Sequence, residues 1–351
     1  MSERERLPRY RTGDPELDHA VQALVERVET DDADLIFELI VSALRMARGN
    51  TERGDLKIAN AALKEMRYAF QVFGPYRQER KVSIFGSART EPDSPLYDLT
   101  RRFATAIALR EWMVITGAGP GIMSAGVEGA GPENSFGVSI KLPFEAVTTS
   151  FLANDPKLIN FRYFFTRKLS FVKESDGFAL LPGGFGTFDE MFELLTLVQT
   201  GKGEPTPIVA LDVPGGTYWA RWNEFMVNSV QGDGYLSVGD MDLVTITDDV
   251  AVAVDRIVGF YRNYHSIRFV DGRLVMRLQQ PPTASELEDL NTEFADIVVR
   301  DRIEIIEPTP PEIADGDQLE AARIAMVFDR QSWSRLHKLI DRLNALASLP
   351  E

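Results

Sequence analysis

Gly177-Phe178-Ala179-Leu180-Leu181-Pro182-Gly183-Gly184-Phe185-Gly186-Thr187 begins as a short apolar run and breaks into a turn with three glycines. A run this short, with no polar alternation, reads as a strand covered on both faces. Helical spacing follows it to about Thr200, where Gly201 stops it. The same strand-turn-helix grammar stands twice upstream. Met113-Val114-Ile115-Thr116 runs into Gly117-Ala118-Gly119-Pro120-Gly121 and a helix over 122–130. Lys81-Val82-Ser83-Ile84-Phe85 ends in Gly86-Ser87-Ala88, and Ser94-Pro95 opens a helix through Leu109. Further strands are predicted at 136–140, 207–211 and 243–246, and helices at 161–173, 218–230 and 250–261. Strands alternating with helices imply parallel βαβ units, hence an α/β, Rossmann-like, doubly wound sheet.

Residues 1–80 read as three helices, entered at Asp14-Pro15, Asp31-Asp32 and Asp55. A capping carboxylate with Pro at the first helical position is a start signal. Gly49-Asn50 and Gly74-Pro75 are stops. Residues 266–351 break the alternation. They suggest a hairpin over 267–278 turning at Asp271-Gly272, a helix over 284–295 and a strand at 303–306. A linker-like Glu307-Pro308-Thr309-Pro310-Pro311 and one or two helices over 318–346 follow. The predicted organisation is a helical N-terminal appendage (1–80), the Rossmann-like domain (81–265) and a mixed α/β C-terminal extension (266–351). No internal repeat is visible.

Composition narrows the function. The 351 residues are 44% hydrophobic and 26% charged, which is ordinary for a globular chain. Fifty-three acidic against 38 basic residues give a formal charge of −15, which argues against a nucleic-acid partner. The chain has no cysteine, so disulfides, thiolate metal sites and Cys nucleophiles are excluded. His19, His265 and His337 are the three histidines, too scattered for a multi-histidine metal site. No apolar run approaches the ~20 residues of a membrane span. The charged first residues lack the apolar segment of a signal peptide. A cytoplasmic protein with no membrane partner is expected. An anionic ligand would need local positive groups against the acidic field of the chain.

In open parallel sheets ligands bind outside the carboxyl ends of the strands. Three glycine-rich turns stand at such ends: Gly86 to Ala88, Gly117 to Gly121 and Gly183 to Thr187. One such turn is explained well enough as a tight connection. Three on one edge favour a phosphate-bearing ligand, because glycine lets backbone N–H groups approach an anion and the next helix adds its dipole. The spacings match neither the dinucleotide fingerprint nor the P-loop, which disfavours a dehydrogenase or a P-loop ATPase. Thr187, Asp189 and Glu190 are read into the first turn of the following helix. Thr187 can cap it or donate to a phosphate. Asp189 has a sufficient explanation in the helix dipole. Glu190 has less of one, since a carboxylate beside a phosphate repels it unless it has a task. Arg167 and Lys168 supply adjacent cations in an aromatic-rich segment, and Arg89 and Arg162 could add to them.

Arg167-Lys168, Glu174-Ser175-Asp176-Gly177-Phe178 and Leu181-Pro182-Gly183-Gly184-Phe185-Gly186-Thr187-Phe188-Asp189-Glu190 together resemble the LOG (Lonely Guy) family. Its hallmark is P-G-G-x-G-T-x-x-E with an upstream R-K. Phe85-Gly86-Ser87 and the glycine turn running into Ile122-Met123 also fit. The resemblance covers about residues 81–260. It implies hydrolysis of the N-glycosidic bond of a nucleoside 5′-monophosphate, giving free base and ribose 5-phosphate, with no metal and no cofactor. By motif position it implies Arg167 and Glu190 as catalytic residues. Gly183, Gly184, Gly186 and Thr187 would hold the 5′-phosphate, with Lys168 adding charge. Gly86, Ser87, Gly117, Gly119 and Gly121 would line the nucleotide pocket. Asp176 would contact the base, and is the candidate proton donor to it. A homodimer or dimer-based oligomer is also implied, with 161–171 contributing to the interface. The two extensions and the Thr116 to Met123 turn depart from the short cytokinin-activating members. They point to AMP-like substrates, with cytokinin riboside 5′-monophosphates as the alternative. The rival from another class is a non-catalytic nucleotide- or cofactor-binding module, which would need neither Glu190 nor Arg167.

Overall fold

Asp14 opens the first helix as its residue type requires, its side chain accepting the N–H groups of Glu16 and Leu17 at 3.1 and 3.2 Å. The computed structural model describes residues 9–141 and 154–349. Three helices come first, α1 (Pro15–Glu26), α2 (Ala33–Arg48) and α3 (Arg53–Phe73). Val21, Val25, Phe37 and Val41 form a small buried cluster. The chain divides into two units, Met1–Met66 and Arg67–Glu351. This division falls inside α3, whose Ala69 and Phe73 belong to the core of the second unit.

The second unit alternates as expected. In order it runs β1 (Lys81–Phe85), α4 (Pro95–Ala108), β2 (Met113–Thr116), α5 (Ile122–Ala130), β3 (Ser135–Ile140), β4 (Leu158–Phe161) and α6 (Phe164–Glu174). Then come β5 (Gly177–Leu180), α7 (Phe185–Gln199), β6 (Ile208–Leu211), α8 (Tyr218–Phe225), β7 (Val244–Thr247) and α9 (Val250–Gly259). The seven strands are parallel, in the order β4-β3-β2-β1-β5-β6-β7. Both faces are covered. Val82 and Ile84 of β1 pack with Leu99, Phe103 and Ile107 of α4 and with Ile257 of α9. Phe85 of the same strand packs into the opposite layer with Phe171, Met191, Leu194 and Trp219.

One strand differs from the sequence expectation. The segment read as a helix from 161 contributes β4 first, and α6 starts only at Phe164. Four residues at a sheet edge are too few for a period to show; pairing of Ile159 and Phe161 with Val138 and Ile140 makes them a strand. The helix read over 218–230 is α8 continued by a π-helical segment, Met226–Gln231.

The remaining chain forms a second, antiparallel sheet. Its elements are β8 (Tyr264–Val270), β9 (Arg273–Leu278), α10 (Ala284–Glu293), β10 (Glu304–Ile305), α11 (Pro310–Asp315), β11 (Ala322–Met326) and α12 (Trp333–Asn344). The strand order is β10-β11-β9-β8. Asp271 and Gly272, both at positive φ, make the expected hairpin turn. Two expectations fail here. The linker-like 307–311 contains the start of α11, where Thr309 and Glu312 form a reciprocal capping box. The final helical stretch holds β11 before α12, because pairing with β9 overrides the helix preference of its Ala and Met residues. The core of this sheet contains Phe260, Tyr264, Met276, Leu290, Ile324, Trp333 and Leu339. Among the described residues, no helix is long and apolar enough to cross a membrane.

His337 on α12 is buried against Phe260, and neither ring nitrogen has a hydrogen-bond partner. Burial, with Arg256 nearby, pushes it down to about 3 from 6.5. The folded value lies below the unfolded one, so the unfolded chain takes up the proton first and stability falls as pH drops through 6.5. By pH 5 the loss is about 2 kcal/mol. Glu286 and Glu312 are held at about 2 by hydrogen bonds despite burial, so their contributions are lost only below 4.5. We expect His337→Leu to remove most of this acid loss between about pH 7.5 and pH 5, read as the difference in urea-unfolding free energy at the two values.

Candidate active site

Connections leave β1 toward β2 on one side, and the chain returns at β5 on the other. A doubly wound sheet opens a crevice at that switch point. Phe85 and Leu180 stand in register, and the Leu181 N–H donates to the Phe85 carbonyl at 2.8 Å. The Ser87 N–H then donates to the Pro182 carbonyl at 3.2 Å, and the Ile122 N–H to the Ser87 carbonyl at 3.1 Å. These bonds bring the three glycine turns together. Gly121 is required for this: its φ is +66°, and a Cβ there would stand 2.3 Å from the Ser87 carbonyl oxygen.

The turns surround a cavity of about 1360 Å³. Gly86, Ser87, Gly117, Gly119, Gly183, Gly184, Gly186 and Thr187 line it, with Arg167 from α6 and Glu190 from α7. Arg89 lines it as well. α7 begins at Phe185 with Gly184 as N-cap and no capping side chain, so its first N–H groups face the cavity end without a side-chain acceptor. Three details of the sequence reading change. Thr187 does not cap the helix, and Asp189 and Glu190 both sit in the second turn, beyond the reach of the dipole explanation.

Arg167 and Glu190 are both nearly buried, at 10 and 11% side-chain exposure. The Arg167 Nε donates to the Val138 carbonyl at 2.9 Å, and Nη1 lies 3.7 Å from Glu190 Oε1. Gly117 makes room for the guanidinium, since a Cβ there would stand 2.6 Å from Nη2. Burial pushes the Glu190 carboxyl above its ordinary value, against the pull of Arg167. Burial likewise lowers Arg167, against the pull of Glu190. At 3.7 Å the pair is too loose for attraction to outweigh lost hydration. The result is a carboxylate with a raised proton affinity beside a fixed guanidinium in an anion-friendly cavity.

Three predicted residues lie elsewhere. Gly121 shapes the second turn and does not line the cavity. Lys168 points the other way along α6, with Nζ 2.8 Å from both Asp189 and Glu193. Asp176 precedes β5, at the opposite end of the strand from the cavity. It pairs with Arg80 at 2.7 Å and accepts the Lys81 N–H at 2.9 Å. Roughly 15 Å of strand separates it from the glycine turn. Asp176 therefore neither contacts a base in this cavity nor gives it a proton. Sequence reasoning missed Met123, Ser139, Asn160 and Phe164, which also line the cavity. Asn160 was legible only to a reading that recognised β4.

Residues 121–257 match the family described as possible lysine decarboxylase. A cytokinin riboside 5′-monophosphate phosphoribohydrolase of Mycobacterium tuberculosis is 29% identical over 176 residues, 49% of this chain and 90% of that protein. The Arabidopsis thaliana cytokinin riboside 5′-monophosphate phosphoribohydrolase LOG1 is 37% identical over 71 residues, 20% of this chain. The match spans 32% of the length of that protein. Among solved structures, the molybdenum cofactor carrier protein of Chlamydomonas reinhardtii is similar at 21% identity and a TM-score of 0.35, over 50% of this chain and 94% of that one.

Proposed function

We propose that the chain is a LOG-family enzyme that hydrolyses the N-glycosidic bond of nucleoside 5′-monophosphates to free base and ribose 5-phosphate. The observation that carries the reading is the Glu190 carboxylate, nearly buried at the wall of a cavity that the three glycine turns, Arg167 and Arg89 also line. A pure binding site for a phosphorylated ligand gains nothing from a buried carboxylate there.

The chemistry follows from the charges. Glycosidic cleavage passes through an oxocarbenium-like state with positive charge on the ribose. The 5′-phosphate sits on the N–H groups of the Gly183 to Thr187 turn and the start of α7. Arg167, fixed through Nε, orients the nucleotide with its remaining donors. Glu190 faces the developing cation, stabilises it and orients the attacking water. In the ground state the carboxylate only repels the phosphate, so its contribution is confined to the transition state.

Glu190→Gln should abolish turnover and leave AMP binding unchanged or tighter; activity near wild type would remove Glu190 from the mechanism. Glu190 acts ionised and its proton affinity is raised, so activity should fall on the acid side from a pH above the ordinary carboxylate value of 4.5. A kcat/KM profile against pH reads that limb.

The phosphate supplies most of the polar recognition, and remote binding energy of this kind holds the ribose over Glu190. Adenosine should be a poor substrate in kcat as well as KM. Arg167→Ala should lower kcat/KM for AMP by at least ~100-fold, about 2.7 kcal/mol. AMP should be cleaved at least as well as N6-isopentenyl-AMP. A panel of nucleotides scored for released base and ribose 5-phosphate checks all three; adenosine cleaved as fast as AMP would refute phosphate anchoring.

We also propose self-association through α6 and α7. Phe164, Phe165 and Leu169 of α6 and Phe185 and Phe192 of α7 are exposed, an unusual apolar concentration next to the cavity. Light scattering at micromolar concentration should give a dimer or a multiple of it, and Phe165→Glu should lower the mass.

A further inference from the structure

Tyr218, the first residue of α8, reaches the glycine turn after β5, and its hydroxyl donates to the Gly183 carbonyl at 2.6 Å. The side chain is well held. The Tyr218 backbone N–H donates to Asp212 Oδ2 at 3.0 Å, while the Val213 N–H donates to Oδ1 at 2.8 Å. Asp212, buried at the end of β6, thereby does for α8 what its N-cap residue Thr217 does not. The Tyr218 ring stacks on Phe188 of α7 and meets Trp219 edge-on, with centroids 6.1 and 4.9 Å away. Burial raises the phenol above its ordinary value, so it stays a donor.

Tyr218 does not line the main cavity. It lines a smaller pocket of about 610 Å³, which shares Leu96, Pro182 and Phe188 with the main one. The glycine turn therefore has Tyr218 on one side and the main cavity on the other. A trans peptide points its C=O and its N–H in opposite directions. Tying the Gly183 carbonyl to Tyr218 turns the Gly184 N–H the other way, toward the main cavity that both glycines line. Two adjacent glycines offer little resistance to a peptide flip. A flipped peptide would present a carbonyl oxygen to the anion in place of a donor.

We propose that Tyr218 is a positioning residue, which holds the Gly183–Gly184 peptide with its N–H aimed at the substrate phosphate. The inference rests on the phosphate-anchored reading of the cavity. It is tested by binding, which needs no turnover and so reads Tyr218 whether or not AMP is cleaved. Tyr218→Phe keeps the ring and its stacking and removes the hydroxyl alone. Calorimetry on the full chain should show ribose 5-phosphate bound about tenfold more weakly, adenosine bound as before and a melting temperature within a few degrees of wild type. In turnover, KM for AMP should rise more than kcat falls. Equal affinity of wild type and variant for ribose 5-phosphate overturns the proposal. So does an equal loss for adenosine, which would mark a general structural role, and so does a wild type that binds no ribose 5-phosphate.

Discussion

Two backbone hydrogen bonds at the seam between β1 and β5 support everything the site does. The Leu181 N–H to the Phe85 carbonyl keeps the two strands level to their ends, and the Ser87 N–H to the Pro182 carbonyl carries the pairing on into the turns. A third, from Ile122 to the Ser87 carbonyl, brings in the turn after β2. The cavity is thus assembled mostly from main chain. Backbone N–H groups recognise an anion without regard to side-chain identity. Few side chains are left with a chemical task, and Arg167 and Glu190 are the buried charged pair among them.

That pair contrasts with another buried acid in the same chain. Glu312 accepts from Arg277 at 2.8 Å and from Arg323 at 3.3 Å, and Thr309 donates to its second oxygen at 2.7 Å. Although burial opposes it, this set holds Glu312 at about 2. Glu190 has one guanidinium at 3.7 Å and moves the opposite way. Satisfied lone pairs distinguish a carboxylate that fastens a fold from one kept under-satisfied for a reacting group. The family resemblance and the geometry meet at this point: the residue the motif marks is a carboxyl that burial pushes above its ordinary value.

How much of this was legible in the sequence follows from the range of the interactions involved. β1, β2, α5 and the start of α4 were readable to the residue because their signals are local: apolar runs, glycines and a capping Ser94-Pro95. β4 and β11 were not, because a short edge strand and a strand rich in Ala and Met are defined by partners far along the chain. The motif residues Gly183 to Phe188 and Glu190 fell into the cavity for the same local reason. Asp176 was misplaced because proximity to the motif along the chain says nothing about which end of a strand a residue occupies. Tyr218 gave no signal at all, since its bond to Gly183 joins elements separated by a helix and a strand.

The seam has a kinetic consequence as well. Lys81 at the start of β1 meets Asp176 at the start of β5 across 95 residues. Closing a loop of that length precedes any reward from the contacts it makes, so non-local parallel pairing is slow. The β8–β9 hairpin closes over two residues and needs no such wait. During synthesis β1 waits with its edge unsatisfied on the β5 side until the chain has reached Leu180. The cavity comes into being only when that gap closes, which makes ligand binding a report on that closure and leaves this central strand, more than the hairpin of the second sheet, open to misassociation before it.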